Sequence, residues 1–269
     1  MPLVVCATPI GNLEDVTLRV LAALQEADVV LCEDTRHTRG LLERHDIEAR
    51  LLSYHEHNEA SRTAELLPRL ERGERVALVS DAGMPGISDP GARLVRAALA
   101  AGIEVTVLPG PSAVETALVS SGLLADRYEF IGFLPRGAKA LAAVWESLAD
   151  RTWPVVAFES PQRLPATLRS LAAVAPARPA AVCRELTKRF EEIARGTAAE
   201  LAERFPEPPK GEITLVVGAG EGRVRAVDDA AAVAAVAELV DAGVPRRQAA
   251  ELVGRLTGTA RNALYRGSL

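Results

Sequence analysis

"RVALVSDAGMPGISDPGARLV", Arg75 to Val95, decides the fold. "RVALVS" is a short apolar run of the kind that forms a buried strand. "PGARLVRAALAAG" reads as the next helix, with Asp89 as N-cap, Pro90 at the first helical position and Gly102 as terminator. The connection between them is long. Gly83 and Gly86 permit backbone conformations closed to other residues, and Pro85 and Pro90 hold the chain bent. A loop of this length at the carboxyl end of a parallel strand stands where α/β sheets take their ligands.

The flanking sequence repeats the same rhythm. "LVVCA" (Leu3 to Ala7), "VVLC" (Val29 to Cys32) and "EVTVL" (Glu104 to Leu108) are further strands. "EDVTLRVLAALQEA" places Val16, Val20, Leu21 and Leu24 on one helical face with Asp15 as N-cap, and "NEASRTAELLPRLERGE" is helical up to Gly73, with Asn58 as a cap. Strand and helix in alternation predict a parallel, helix-covered sheet.

After Gly122 the pattern changes. "YEFIGFL", "PVVAFES", "AAVCREL", "FEEIARG" and "EITLVVG" are strand candidates, with helices at Lys139 to Ala149 and at Gln162 to Ala175, the latter started by Ser160 and Pro161. Strands without helices between them predict antiparallel pairs. From Ala219 the chain is Gly-rich, then helical in "DDAAAVAAVAELVDAG", "PRRQAAELVGRLTG" and "TARNALYRG", a nucleic-acid-binding helical module or a packing appendage. The expected class is α/β: a parallel-sheet N-terminal domain (1–121), a mixed-sheet second domain (122–218) and a small helical C-terminal module (219–269).

Composition bounds the function. The chain has 269 residues, 48% of them hydrophobic and 25% charged, a length that allows one large domain or two of ordinary size. No apolar run approaches the ~18 to 20 residues of a membrane span and no signal core opens the chain, so a cytoplasmic protein is expected. Cys6, Cys32 and Cys183 lie apart in apolar runs and read as buried thiols. His55 and His57 flank Glu56, but no second cluster completes a coordination shell, so no metal is expected. Net charge is −5, yet Val244 to Leu269 holds Arg246, Arg247, Arg255, Arg261 and Arg266 against the single acid Glu251. That local excess points to RNA.

The loops exclude some ligands. A dinucleotide site needs GxGxxG after the first strand, where "ATPIGNLED" has one Gly; the P-loop pattern is absent; "GAGEG" (Gly218 to Gly222) lacks a helix at the right place and reads as a linker. "LPGPSAVETA" (Leu108 to Ala117) makes a second break at the same sheet edge. The two loops frame a cleft without a phosphate grip, suited to a nucleoside with an amino-acid tail.

"ATPIGNLEDVTLR", "EDTRHT", "VSDAGMPGISDPG", "PGPSAVETAL", "CRELTKRFEE" and "KGEITLVV", in this order, resemble the tetrapyrrole methylase superfamily, in its ribosomal-RNA-modifying branch. The resemblance spans about residues 3 to 217. It implies an S-adenosylmethionine-dependent enzyme that methylates a cytidine 2′-hydroxyl in the decoding region of 16S rRNA within the small ribosomal subunit. It also implies a homodimer whose two α/β domains fold the cofactor between them. By the family pattern Ile10, Asp81, Gly83, Ile87, Ser112 and Ala113 line the cofactor, and Phe158, Leu186, Gly211 and Ile213 close over the adenine.

Methyl transfer from a sulfonium to a hydroxyl is an in-line displacement that depends on alignment, with a base to take the proton. Lys188 and Glu185 in "RELTK" are the first candidates, Lys188 because the chain has only two other lysines, Lys139 and Lys210. Glu33, Asp34 and Arg36 are further candidates. Polar "SYHEHNEASR" with Arg36 and Arg39 reads as an RNA-facing rim, joined by Arg246, Arg247 and Arg255. Aromatic content of 4% gives no stacking platform for bases. The rivals are a methylase of a corrinoid or porphyrin precursor, which shares fold and cofactor, and a non-catalytic RNA-binding or ribosome-binding protein.

Overall fold

The computed structural model describes residues 2–220, 229–257 and 259–268. Its first half alternates strand and helix: β1 (Leu3–Cys6), α1 (Leu18–Glu26), β2 (Val29–Cys32), α2 (Thr35–Arg44), β3 (Leu51–Ser53), α3 (Glu59–Glu71), β4 (Val76–Leu78), α4 (Ala92–Ala100), β5 (Val105–Leu108) and α5 (Ala113–Ser121). The strands are parallel, in the order β3-β2-β4-β1-β5. The inner strands β2, β4 and β1 are apolar throughout because both faces are covered, while the edge strands β3 and β5 carry Ser53 and Thr106 and are only partly buried. Leu3, Leu31 and Leu78 pack with Leu66 and Leu70 of α3 and Leu94 of α4, while Cys6, Val30 and Ala77 pack with Leu24 of α1 and Leu41 of α2. The chains leaving β1 and β4, which are neighbours, therefore part toward opposite faces and open a crevice at the carboxyl edge.

Four expected helix starts are corrected. Asp15 lies in a 3₁₀ turn, Leu13–Asp15, capped by Asn12; Thr17 caps α1, its Oγ1 accepting from the Val20 N–H at 3.2 Å. Asn58 precedes α3 but makes no cap bond: its Oδ1 accepts from the His55 N–H and its Nδ2 donates to the Ser53 carbonyl. Asp89 does not cap α4, which begins at Ala92 after Gly91. Ser160 and Pro161 form a turn, Ser160 O accepting from the Arg163 and Leu164 N–H groups, and the helix begins at Leu164. β3 and α2 are additional to the sequence reading. β3 is a three-residue strand, and α2 buries only Thr38, Leu41 and Leu42, too few for a clear apolar period.

The second half forms β6 (Glu129–Phe133), α6 (Ala138–Leu148), β7 (Val155–Glu159), α7 (Leu164–Val174), β8 (Pro179–Arg184), β9 (Glu192–Thr197), α8 (Ala198–Arg204) and β10 (Ile213–Val217). Its sheet runs β6-β7-β10-β8-β9, parallel only between β6 and β7, so the expected antiparallel pairs are present. α8, seven residues long, was not anticipated; a Thr197–Glu200 capping box starts it. α5 packs Val114, Ala117 and Leu118 against Val156, Ala181, Cys183 and Val216. That apolar layer joins the second sheet to Ile10 and Ala82 of the first-sheet loops.

The chain divides into two compact units, one of Met1–Ala142 with Trp153–Gly218, the other of Ala143–Thr152 with Ala219–Leu269. In the second, α9 (Asp229–Asp241), α10 (Arg246–Thr257) and α11 (Arg261–Gly267) close on Ala232, Val236, Ala249, Val253 and Leu264. Of the stretch read as a linker, Glu221 and Gly222 lie outside the described residues, as does Asp228 at the expected start of the first of these helices. Cys6, Cys32 and Cys183 are buried free thiols, and burial pushes Cys6 and Cys183 up to about 12. Among the described residues no helix is long and apolar enough to cross a membrane.

Candidate active site

The loop after β4 is held by its neighbours. Thr8 and Gly83 exchange backbone hydrogen bonds at 2.9 and 3.0 Å, tying it to the loop after β1, and Thr8 Oγ1 donates to the Ser80 carbonyl at 2.9 Å. Asp81 Oδ1 accepts the Asp34 N–H at 3.1 Å, fixing the start of α2 beside it. Gly83, Gly86, Ser88 and Gly91 all have positive φ, so the chain doubles back between β4 and α4 instead of crossing directly. At Gly91 (φ 138) a side chain would be strained by the backbone, and its Cβ would lie 3.0 Å from Leu78 Cδ2, so Leu78 would have to shift.

This loop, the start of α5 and the second sheet enclose a cavity of about 580 Å³, within the range of small-molecule sites. Ile10, Asp81, Gly83, Ile87, Ser112, Ala113, Phe158, Leu186, Gly211 and Ile213, the ten residues expected to line one cleft, all line this one. Phe130 and Phe133 pack edge-on to Phe158, at ring separations of 4.9 and 5.4 Å, and build the wall opposite the loop. The charge of the lining is one-sided. Asp81, Asp89, Glu115, Glu159 and Glu212 face the cavity, and no Lys, Arg or His is among the described residues that do. Glu159 is spoken for: its buried carboxylate accepts from Thr167 Oγ1, the Ser160 N–H and Arg163. Glu115 accepts from Tyr128 OH and from the Ser112 hydroxyl.

The "RELTK" turn stands behind the cavity wall. Glu185 and Thr187 have φ of 52 and 64, and the turn closes on the loop after β1, where Thr187 Oγ1 accepts the Asn12 N–H at 3.0 Å. Glu185 Oε1 accepts from the Glu212 N–H and from Lys188 Nζ, each at 3.0 Å. The Glu212 bond first, then Lys188, outweigh partial burial and hold this carboxyl below the usual value. Lys188 Nζ also donates to Glu212 Oε2 at 3.0 Å. Burial opposes its charge, but the two carboxylates outweigh burial and the ammonium is held above the ordinary lysine value. Lys188 is thus a fixed cation that braces Glu185 and Glu212; neither it nor Glu185 lines the cavity, whereas Gly211 and Glu212 do.

The other candidates separate. Asp34 caps α2, bonding the Arg36 N–H at 2.8 Å and its guanidinium at 2.7 Å; the Arg36 side chain and this backbone bond hold the Asp34 carboxyl down to about 2. Arg36 and Arg39 are exposed on α2. Glu33 is raised by burial first and by Asp81 next. Arg247 and Arg255 are exposed on α10 and Arg246 is half-buried. Sequence reasoning missed Asp89 as a site residue. It lines the cavity, and burial, then the charges of Glu33 and Asp81, push its carboxyl up to about 7.

The family model of the tetrapyrrole (corrin/porphyrin) methylases matches residues 2–202. The chain belongs to the tetrapyrrole methylase family. It is, with that family, a methyltransferase. A ribosomal RNA small subunit methyltransferase I of Micromonospora olivasterospora is 45% identical over 96% of this chain and 83% of its own length. That of Thermotoga maritima is 46% identical over 81% of this chain and 99% of its own. Among solved structures, a uroporphyrin-III C-methyl transferase from Thermus thermophilus complexed with S-adenyl homocysteine covers 80% of this chain and 96% of its own, at a TM-score of 0.56 and 19% identity. That likeness is one of fold. It agrees with the two-sheet architecture expected of a tetrapyrrole methylase.

Proposed function

We propose that this protein transfers a methyl group from S-adenosylmethionine to the ribose 2′-hydroxyl of a cytidine in the decoding region of 16S rRNA, on the small ribosomal subunit, as a cytoplasmic homodimer. The observation that supports this most directly is the lining of the cleft, apolar and acidic, with no basic side chain among the described residues. A dinucleotide or nucleoside phosphate would find no cation there, whereas a sulfonium with an ammonium tail finds carboxylates. The relatives' names, all of ribosomal RNA methyltransferases, support the acceptor.

When bound, S-adenosylmethionine supplies the methyl group, already activated as a sulfonium. The chain supplies position and dryness. Ile10, Leu186 and Ile213 offer apolar surface to a purine, the three packed phenylalanines add apolar wall, and Asp81 faces the cavity as an acceptor. Lys188 acts in this reading through Glu185 and Glu212, holding the Gly211–Glu212 backbone against the ligand. Residues 1–121 and 122–218 are the two lobes about the cofactor, and 219–269, with Arg246, Arg247 and Arg255, joins Arg36 and Arg39 in contacting RNA phosphates.

The test combines calorimetric titration with S-adenosylhomocysteine and transfer of radiolabelled methyl to small ribosomal subunits from a strain lacking the modification. Free rRNA and a corrinoid precursor serve as comparison acceptors. Label at a 2′-oxygen of 16S rRNA is the expected result. Label confined to the precursor would overturn the assignment of the acceptor, and ligand binding with no transfer to any acceptor would do the same.

A further inference from the structure

Ser88 and Asp89 belong to two cavities at once. One is the acidic cleft; the other is a polar groove of about 760 Å³ on the far side of the loop, lined also by Glu56, Glu59, Arg93 and Arg96. Asp89 is free to face both because its expected task is done by another residue. Glu59, from α3, accepts the Gly91 and Arg93 N–H groups on one carboxylate oxygen at 3.1 and 3.4 Å, satisfying the start of α4 from outside. Tyr54 OH, at 3.2 Å, steadies that oxygen. Among the described residues the Asp89 carboxylate has no hydrogen-bond or ion-pair partner. A partly buried carboxylate left unpaired between two cavities is unusual, since burial without a partner costs stability.

We propose that the groove beside α4 receives the RNA acceptor, with Arg93 and Arg96 on its phosphates, and that Asp89, at the junction with the cleft, takes the proton of the acceptor hydroxyl. This rests on the methyl-transfer reading above. In the step the hydroxyl O–H bond breaks and its proton passes to an Asp89 oxygen. The oxygen's electron pair forms the new O–CH3 bond, while the C–S bond breaks with its pair left on sulfur, turning the sulfonium into a neutral thioether. Arg93 and Arg96 are exposed and stand four and seven residues from Asp89, Arg93 beside Glu59 at 3.7 Å and Arg96 Nε donating to the Ala92 carbonyl at 3.1 Å, and they supply the cations that the described lining of the cleft lacks. Lys188 is less suited to this role, since Glu185 and Glu212 hold its ammonium and it does not line the cleft. The groups facing Asp89 are Glu33 from the end of β2 and Asp81 from its own loop. Glu56 and Glu59 before and in α3, and Arg93 and Arg96 in α4, line the groove. Burial first, then Glu33 and Asp81, keeps its proton affinity near neutrality, where a base is most effective.

The test compares wild type, D89N, D89E and R93Q/R96Q in methyl transfer to unmodified small subunits, with S-adenosylhomocysteine affinity measured by calorimetry and the Asp carboxyls followed by 13C NMR through a pH titration. For D89N, kcat is expected to fall at least ~100-fold while S-adenosylhomocysteine affinity holds within about threefold, and the one Asp carboxyl titrating near pH 7 should disappear. D89E should recover a measurable part of kcat. R93Q/R96Q should raise KM for the subunit about fivefold or more with kcat nearly unchanged. Transfer by D89N within tenfold of wild type overturns the assignment of the base, as does loss of S-adenosylhomocysteine binding by D89N alone, which would make Asp89 a cofactor contact. An unchanged KM in R93Q/R96Q overturns the groove. If wild type itself methylates no subunit, the underlying reading fails, and this inference fails with it.

Discussion

Glu185 Oε1 accepts the backbone N–H of Glu212 at 3.0 Å across the turn formed by Gly211. Gly211 has φ of 97, and a Cβ there would lie 2.4 Å from Glu185 Cγ. The carboxylate and the glycine occupy each other's only space, which fixes the backbone that lines the cleft. Gly211→Ala is expected to destabilise the fold by ~2–4 kcal/mol through strain and overpacking together. Urea denaturation measures the loss, and S-adenosylhomocysteine titration of the variant should show affinity at least tenfold weaker; an unaffected affinity would remove this turn from the site.

Glu185→Gln keeps an acceptor for the Glu212 N–H and removes the charge that Lys188 neutralises. A carboxyl held below its unfolded value contributes stability above that value, ~4.3, and loses it as pH falls through the lower folded value. The variant should therefore be ~1–2 kcal/mol less stable than wild type at pH 7, with the gap closing below about pH 4. Denaturation midpoints at pH 7 and pH 3.5 check it.

Asp89→Asn should stabilise the protein where it is expected to disable it. The native carboxyl keeps its proton to about 7, well above its unfolded value. Its contribution is full below ~4 and is lost progressively as pH rises toward 7. At pH 8 the variant should exceed wild type by on the order of 1–3 kcal/mol, discounted for partial solvent exposure, and at pH 4 the two should coincide. Thermal melts at the two pH values decide it, and a destabilised variant at pH 8 would contradict the burial of an unpaired charge.

Gly11 lies where the loop after β1 meets the "RELTK" turn. A Cβ there would sit 2.5 Å from Lys188 Cγ, 2.6 Å from Thr187 Oγ1 and 2.8 Å from the Leu186 carbonyl. The last is backbone, so the turn itself must move. Gly11→Ala should weaken S-adenosylhomocysteine binding at least tenfold, because Leu186 lines the cleft, at a stability cost of ~1–3 kcal/mol. Calorimetry and urea denaturation on the same preparation separate the two effects.

Arg247 and Arg255 stand two turns apart on the exposed side of α10, with Glu251 between them. If this face meets RNA phosphates, replacing both arginines with glutamine should lower the slope of log affinity against log salt by about 1 to 2 for small subunits. Filter binding at several salt concentrations measures the slope, and S-adenosylhomocysteine affinity is the control expected to hold.

The sequence by itself determined the layers. β-branched runs separated by helical periods specify a parallel sheet covered on both faces, and the loss of that alternation after Gly122 specifies antiparallel pairing, because burial period is a local property. The resemblance carried by the loop motifs at the strand ends named ten residues for one cleft, and those ten line a single cavity. Only the tertiary structure decided how polar groups are shared. Asp89 reads locally as a helix cap, yet Glu59, 30 residues earlier in the chain, satisfies the amides at the start of α4 and leaves Asp89 to the cavities. Lys188 reads as a scarce lysine and a candidate base, and the fold pairs it with Glu212 from the segment before β10 as well as with Glu185. A hydrogen bond is won by whichever acceptor the fold brings nearest: for the amides at the start of α4 that is Glu59 from another helix, and for Lys188 the fold adds Glu212, 24 residues on, to the local Glu185.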